Sequence, residues 1–165
     1  MNDESLTKEY LQEIFDYKDG NLYWKIKPSN RVNIGDKVGC LDRSTGYGRV
    51  RLKRALYGTH RLIFIMHHGY SPAIVDHIDC NPQNNRIENL REANQKTNQQ
   101  NQKIHPTNTS GYKNVTWVAD KKKWAVRMMI DGKTKHKGYF NDPKDAAEFA
   151  TKVREELFGS FANHG

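Results

Sequence analysis

Apolar residues first recur at helical spacing, as Leu6, Tyr10, Leu11, Ile14 and Phe15, with Ser5 or Thr7 placed to cap the element. This spacing predicts a first helix that runs through Phe15 and stops before the turn dipeptide Asp19-Gly20. The period then changes to two. Leu22, Trp24 and Ile26 share one face of a strand over 21–26, and further short strands are expected over 35–41 and 47–52, which together make a small antiparallel sheet. In GYGRVRLKR the cations Arg49, Arg51 and Lys53 alternate with Val50 and Leu52, so one face packs and the other projects positive charge. THRLIFIMHH, over 59–68, reads as a buried helix closed by Gly69 and Pro72.

Between 94 and 109 the pattern disappears, with Ile104 the one sizeable apolar residue. The first part of this stretch is either a disordered linker or a helix retained for its polar side chains, and Pro106 marks the expected domain boundary. Strand-like runs follow at 114–118, 124–130 and 134–140, the last two joined by the hairpin dipeptide Asp131-Gly132. In the middle run Trp124, Val126, Met128 and Ile130 fall on one face, and Ala125, Arg127 and Met129 on the other. Asp142 as N-cap and Pro143 at the first position open a helix whose apolar stripe is Ala146, Phe149, Ala150, Val153 and Leu157, ended by Gly159. That helix should cover one face of the sheet and leave the other open to a ligand. The expected class is α+β: an amino-terminal unit over 1–104 with a small antiparallel sheet, a linker over 105–109, and a three-stranded sheet on one helix over 110–165.

Composition narrows the partner. The 165 residues carry 27 Lys+Arg against 19 Asp+Glu, net +8, with hydrophobic residues at 36%, and no apolar run approaches the roughly 20 residues that span a bilayer. The first residues, MNDESLTKEYL, lack the basic-then-apolar pattern of a secretion signal. Cys40 and Cys80 are separated and form no C-x-x-C pair, which excludes a four-cysteine zinc site and leads us to expect a reducing, cytoplasmic setting. The charge is segregated. Residues 43–75 hold six cations and no acid, 105–138 hold eight cations against Asp120 and Asp131, and 139–165 reverse to -2. Two separated +6 blocks, each with aromatic residues, suit two contacts on one long polyanion.

The carboxyl-terminal segment carries G-Y-K-N-V at the first strand, K-W-A-V-R in the second, K-G-Y-F closing the third, and D-P-x-x-A-A with E-L-F-G in the helix. It resembles the plant ethylene-response-factor (APETALA-type) DNA-binding domain, which is found also in phage endonucleases. The resemblance implies a sheet laid in the major groove, with Lys113, Thr116, Arg127, Met129, Thr134 and His136 facing the bases. Lys121, Lys122, Lys123, Lys133 and Lys135 would contact phosphates. Plant members have arginine or tryptophan at several positions that are Thr116, Met129, Thr134 and His136 here, so modest sequence preference and steep salt dependence are expected.

The central segment contains H-R-L-I-F, then V-D-H-I-D, N-x-x-x-N-R-I-E-N-L and N-x-x-x-N. In order and spacing it resembles an HNH endonuclease of the phage and intron-encoded type, its ββα-metal core over about 60–103. Hydrolysis of a phosphodiester needs a base for water and a cation for the developing charge. A histidine, titrating in isolation at about 6.5, suits the base, and His77 takes that place in the resemblance. Asp76 and Asn98 would hold one Mg²⁺ or Mn²⁺, and Asn89 would bond across the loop and orient the histidine. Asp79 and Glu88 are candidate supporting groups. Arg49, Arg51, Lys53, Arg61 and Arg86 are candidate DNA contacts, while His60, His67 and His68 are read as packing or DNA-proximal residues. The resulting expectation is a phage or mobile-element endonuclease acting on double-stranded DNA as monomer or homodimer, with no membrane and no small-molecule substrate. The rival is a DNA-binding regulator whose nuclease unit has decayed.

Overall fold

The computed structural model describes residues 6–101 and 103–164. They form a mixed α+β protein with several small antiparallel sheets, divided into two compact units, Met1–Asn94 and Gln95–Gly165. The division falls inside the polar 94–109 stretch. No helix among the described residues is long and apolar enough to cross a membrane.

In the first unit α1 spans Lys8–Ile14, its N-terminus capped by Thr7, whose hydroxyl accepts the Tyr10 N–H at 3.2 Å. The helix ends one residue earlier than its periodicity suggests. Phe15 turns extended and opens β1, Phe15–Lys18, paired with β2, Asn21–Trp24. The reason is tertiary: opposite Trp24, with ring centroids 4.8 Å apart, Phe15 is buried as a strand residue in the same core that the helix face serves. The strand expected over 35–41 contracts to β3, Cys40–Leu41, with Lys37 making one bridge to Tyr23. Gly39, at φ +86°, breaks the run where the chain passes so close to Arg49 that a Cβ would stand 2.6 Å from its carbonyl oxygen. β3 joins β4, Gly48–Leu52, and β5, Ala55–Gly58, in a separate three-stranded sheet. The 53–54 turn and β5 carry no alternation that the sequence pattern exposes.

Helix α2, Thr59–His68, is buried as expected and stops at Gly69 in the left-handed region. Leu62, Ile63, Phe64 and Ile65 are each at most 2% exposed and sit with Leu11, Phe15, Leu22 and Val50 in one core. It packs against α1, β4 and β5, and against β6, Ile74–His77, which pairs with β7, Leu90–Ala93.

The second unit opens with the short helix α3, Gln95–Gln100. Of the two readings left open for this stretch, the helical one is observed. The sheet order is β10-β9-β8, with β8 Val115–Val118, β9 Lys123–Ile130 and β10 Lys133–Phe140. Asp131 and Gly132 turn β9 into β10 with φ +50° and +74°, the paired left-handed geometry that fits the twist of a two-residue hairpin. Helix α4, Pro143–Phe158, is capped by Asp142, whose carboxylate accepts the Lys144 N–H at 2.6 Å. Its Ala146, Ala150 and Val153 close on Val115, Val126 and Met128. Arg154, 3% exposed, donates to the Lys113 carbonyl at 3.0 Å, Asn114 Oδ1 at 3.2 Å and Thr151 Oγ1 at 2.9 Å, tying the helix to the start of β8.

Candidate active site

The two-stranded ladder of β6 and β7 sets Asp76 opposite Arg91 and His77 opposite Leu90, and the loop between them folds back over the strand end. Asp76, His77, Asn85 and Asn89 are each between 4% and 8% exposed. Buried polar groups of this kind must be hydrogen-bonded or they cost stability, and the loop satisfies them internally. Asn89 Nδ2 donates to Asp79 Oδ1 at 2.9 Å and to the Asn84 carbonyl at 2.7 Å, while its Oδ1 accepts the Asp79 N–H at 3.1 Å. Asn84 Nδ2 donates to Asp79 Oδ2 at 2.7 Å, and the Asn81 N–H to Asp79 Oδ1 at 2.8 Å. Burial alone would raise the Asp79 pKa, but hydrogen bonds from Asn84, the Asn81 backbone and Asn89, helped by the nearby His77, bring it below the usual carboxylate value.

Asn89 thus bonds across the loop, and the group on the His77 ring is Asn85: His77 Nε2 lies 2.9 Å from Asn85 Oδ1. An amide oxygen only accepts, so Nε2 carries the hydrogen and the neutral ring keeps its lone pair on Nδ1. Asn85 stands within the quoted N-x-x-x-N-R run, yet adjacent asparagines in a loop do not reveal which one reaches the histidine.

The loop is braced from the β1–β2 hairpin. Gly20, at φ +80°, presses so closely that a Cβ would lie 2.8 Å from the Arg86 nitrogen. The Tyr17 hydroxyl accepts the Ile87 N–H at 3.0 Å, and Asp19 faces Arg86 at 3.7 Å. A cavity of about 150 Å³ beside this brace is lined in part by Gly20, Asn21, Thr59, Gln83 and Asn85.

Two rings meet beside the histidine. His60 and Tyr47 lie 5.1 Å apart, and their centroids are 5.2 and 5.8 Å from that of His77. Arg91 Nε pairs with Asp76 Oδ2 at 2.9 Å, both side chains largely buried. Among the described residues no group of three or more His, Cys, Asp and Glu side chains is placed to hold a metal. The Asp76 carboxylate is a hard oxygen donor of the kind that divalent Mg²⁺ or Mn²⁺ takes together with water and substrate phosphate.

The structure brings Asp76, His77 and Asn89 together on the β6–β7 element, and Asn98 stands on α3 of the second unit, half-buried. Of the cations expected on DNA, Arg51 and Lys53 are exposed at the end of β4, Lys53 with its ammonium 4.1 Å over the Tyr10 ring. Arg49 lies 3.6 Å from Asp42. Arg61 has another occupation: its guanidinium donates to Ser71 Oγ and to the Pro72 and Ala73 carbonyls, at 2.8, 2.6 and 3.0 Å, and so anchors the chain between α2 and β6.

In the second unit the register pairs Arg127 with His136, Met129 with Thr134, and Thr116 with Ala125, placing these residues on the side of the sheet away from Met128 and Val126. Thr116, Arg127, Met129, Thr134 and His136 are exposed, as are Lys122 and Lys123. Lys113 is half-buried, its carbonyl accepting from Arg154. Lys133 and Lys135 pair with Ile130 and Met128, so by alternation they belong to the opposite side, exposed on an edge strand. Alternation counted from the sequence identifies that face once the register is known.

With this geometry in hand, residues 57–101 match the HNH endonuclease family. The chain is 36% identical over 88 residues to Protein 3.8 of Escherichia phage T7, an alignment covering 53% of this chain and 72% of that relative. No solved structure gives a significant match.

Proposed function

Because this chain belongs to the HNH endonuclease family, we propose that it is a metal-dependent endonuclease hydrolysing phosphodiester bonds in double-stranded DNA. The observation that carries this reading is the buried His77 ring, fixed through Nε2 by Asn85 and standing next in sequence to the buried carboxylate Asp76. His77 Nδ1 takes a proton from water as that water's oxygen bonds to phosphorus; the bond from phosphorus to the 3′ oxygen breaks, and the leaving oxygen is protonated from solvent. Asn85 acts here by holding the tautomer, and Asn89 by holding the loop that carries Asn85. Asp76 would take part in holding the divalent ion, which when bound supplies charge neutralisation at the phosphate and the leaving oxygen. Arg91, paired with Asp76 at 2.9 Å, orients that carboxylate.

The second unit we assign to DNA contact through the outer face of the β8–β10 sheet, in the manner of the ethylene-response-factor domain it resembles. Arg127, Thr116, Thr134 and His136 would face the groove. Lys122, Lys123, Lys133, Lys135 and Lys113 would reach phosphates at its margins, and Arg49, Arg51 and Lys53 would add phosphate contacts from the first unit. Arg61 acts by shaping the approach to β6. One hydrolytic centre cuts one strand, so a monomer nicks and a double-strand break needs a dimer or a second event. The family match and the intact Asp76, His77, Asn89 and Asn98 favour this reading over a regulator with a decayed nuclease unit. Supercoiled plasmid incubated with the protein and Mg²⁺ or Mn²⁺ should become open circular, and a chelator should stop the reaction. A plasmid left intact under every metal and salt condition would overturn the assignment.

A further inference from the structure

The neighbour of His77 that the mechanism above leaves unused is His60. It stands at the start of α2, its centroid 5.2 Å from that of His77 with the ring planes inclined by 59°. Its Nδ1 is sealed from solvent and has no hydrogen-bond partner among the described residues, whereas Nε2 is not among the sealed atoms. A buried N–H without an acceptor forfeits a full hydrogen bond, so the hydrogen belongs on Nε2 and the lone pair on the sealed Nδ1. Burial first, and then the nearby His77, Arg61 and Arg49 charges, push the His60 pKa down to about 3, so the ring stays neutral. The ring also rests on the backbone of Gly58, where an added Cβ would be 2.6 Å from His60 Cε1 and 3.0 Å from Nδ1. Gly58 has φ -70° and ψ 134°, which any residue adopts. What keeps a side chain out of position 58 is therefore this imidazole.

We propose that His60 is a second catalytic residue, whose Nε2–H donates a hydrogen bond to a non-bridging oxygen of the phosphate attacked by the water that His77 activates. The proposal rests on the reading of His77 as base. An attacking water about 3 Å from the base and about 3–3.5 Å from phosphorus sets the phosphate oxygens within reach of an imidazole this near to His77. A neutral donor fixed before the reaction stabilises the charge that grows on those oxygens without exchanging a proton. Tyr47, in contact with both rings, holds their separation.

The test is single-turnover nicking of supercoiled plasmid in Mg²⁺ by wild type, H77A, H60A, H60Q, H60F and G58A, with plasmid binding and thermal melting measured on each. H60A should nick about 10²-fold more slowly, the scale of one lost transition-state donor, with binding held. H60Q, whose amide N–H can stand where Nε2–H stood, should recover part of that loss, and H60F, which fills the space without a donor, should not. G58A should displace the ring and slow nicking toward the H60A rate, yet add nothing in an H60A background. Nicking by H60F or H60A at the wild-type rate, with H77A inactive, would overturn the role of His60 and leave His77 as base. Nicking by H77A at the wild-type rate would overturn both.

Discussion

In the β6–β7 loop the candidate groups are buried and bound to one another. Asn89 makes three hydrogen bonds, Asn85 holds His77, and Asp79 accepts from three donors. On the outer face of the β8–β10 sheet, Thr116, Arg127, Met129, Thr134 and His136 stand exposed on a ladder whose stability comes from the other side, where α4 covers Val126 and Met128. The contrast fits the two tasks we propose for these regions. Moving a proton and a phosphorus bond needs atoms held to a fraction of an ångström, so the side chains that do it are paid for by a dense polar network. Gripping a long polyanion needs many weak, screened contacts, so the side chains that do it project from a scaffold that is stable without them.

The strongest way to break this comparison is Asn89→Ala. It removes three hydrogen bonds at once and strands the Asp79 N–H and the Asn84 carbonyl, and should cost the first unit about 3 kcal/mol and slow nicking by about 10²-fold. Thr116→Ala on the outer face should stay within about 0.5 kcal/mol. Thermal melting of both variants decides it, and equal losses would dissolve the distinction between network and scaffold.

A pH series sharpens the same point. His60 is held neutral in the folded chain down to about 3, against 6.5 for the ordinary group. As pH falls below 6.5 the unfolded chain takes up the proton first, so this contribution to stability is complete above that pH and is lost progressively from 6.5 toward 3. Asp79, with its lowered pKa, acts in the same direction at the acid end of that window. The melting temperature should fall across this window, and H60Q should flatten the upper part of the fall. A profile that H60Q leaves unchanged would contradict the burial of a neutral imidazole.

The smallest effect belongs to the sheet. Lys122→Ala or Lys123→Ala should each lower the slope of log affinity against log salt by about 0.9, one phosphate contact apiece, with nicking at saturating protein unchanged. Gel shifts over a salt series measure the slope, and an unaltered one would remove these residues from the interface.

Punctuation and period made much of this fold legible. Asp131-Gly132, the Asp142-Pro143 start of α4 and the apolar run of α2 each act through local backbone or burial preferences that a sequence displays directly. Phe15 was misplaced because a helical period cannot show where a core contact such as that with Trp24 pulls the chain extended. β3 shrank because Gly39 answers to the distant Arg49 backbone. In the site, Asp76, His77 and Asn89 were legible from motif spacing. Asn85, His60, Tyr47 and Arg91 were not: adjacent asparagines do not show which one reaches the histidine, and the other three acquire their places through strand pairing or ring packing between different elements, as His60 does with His77.

The central claim, that a buried and oriented His77 performs hydrolysis while other residues hold the DNA, is tested most directly by His77→Ala against wild type in one plasmid assay that scores nicking and gel retardation together. The account predicts that the variant shifts plasmid at the wild-type protein concentration and leaves it supercoiled in Mg²⁺. Nicking at the wild-type rate by His77→Ala, or loss of the shift together with the nicking, would contradict it.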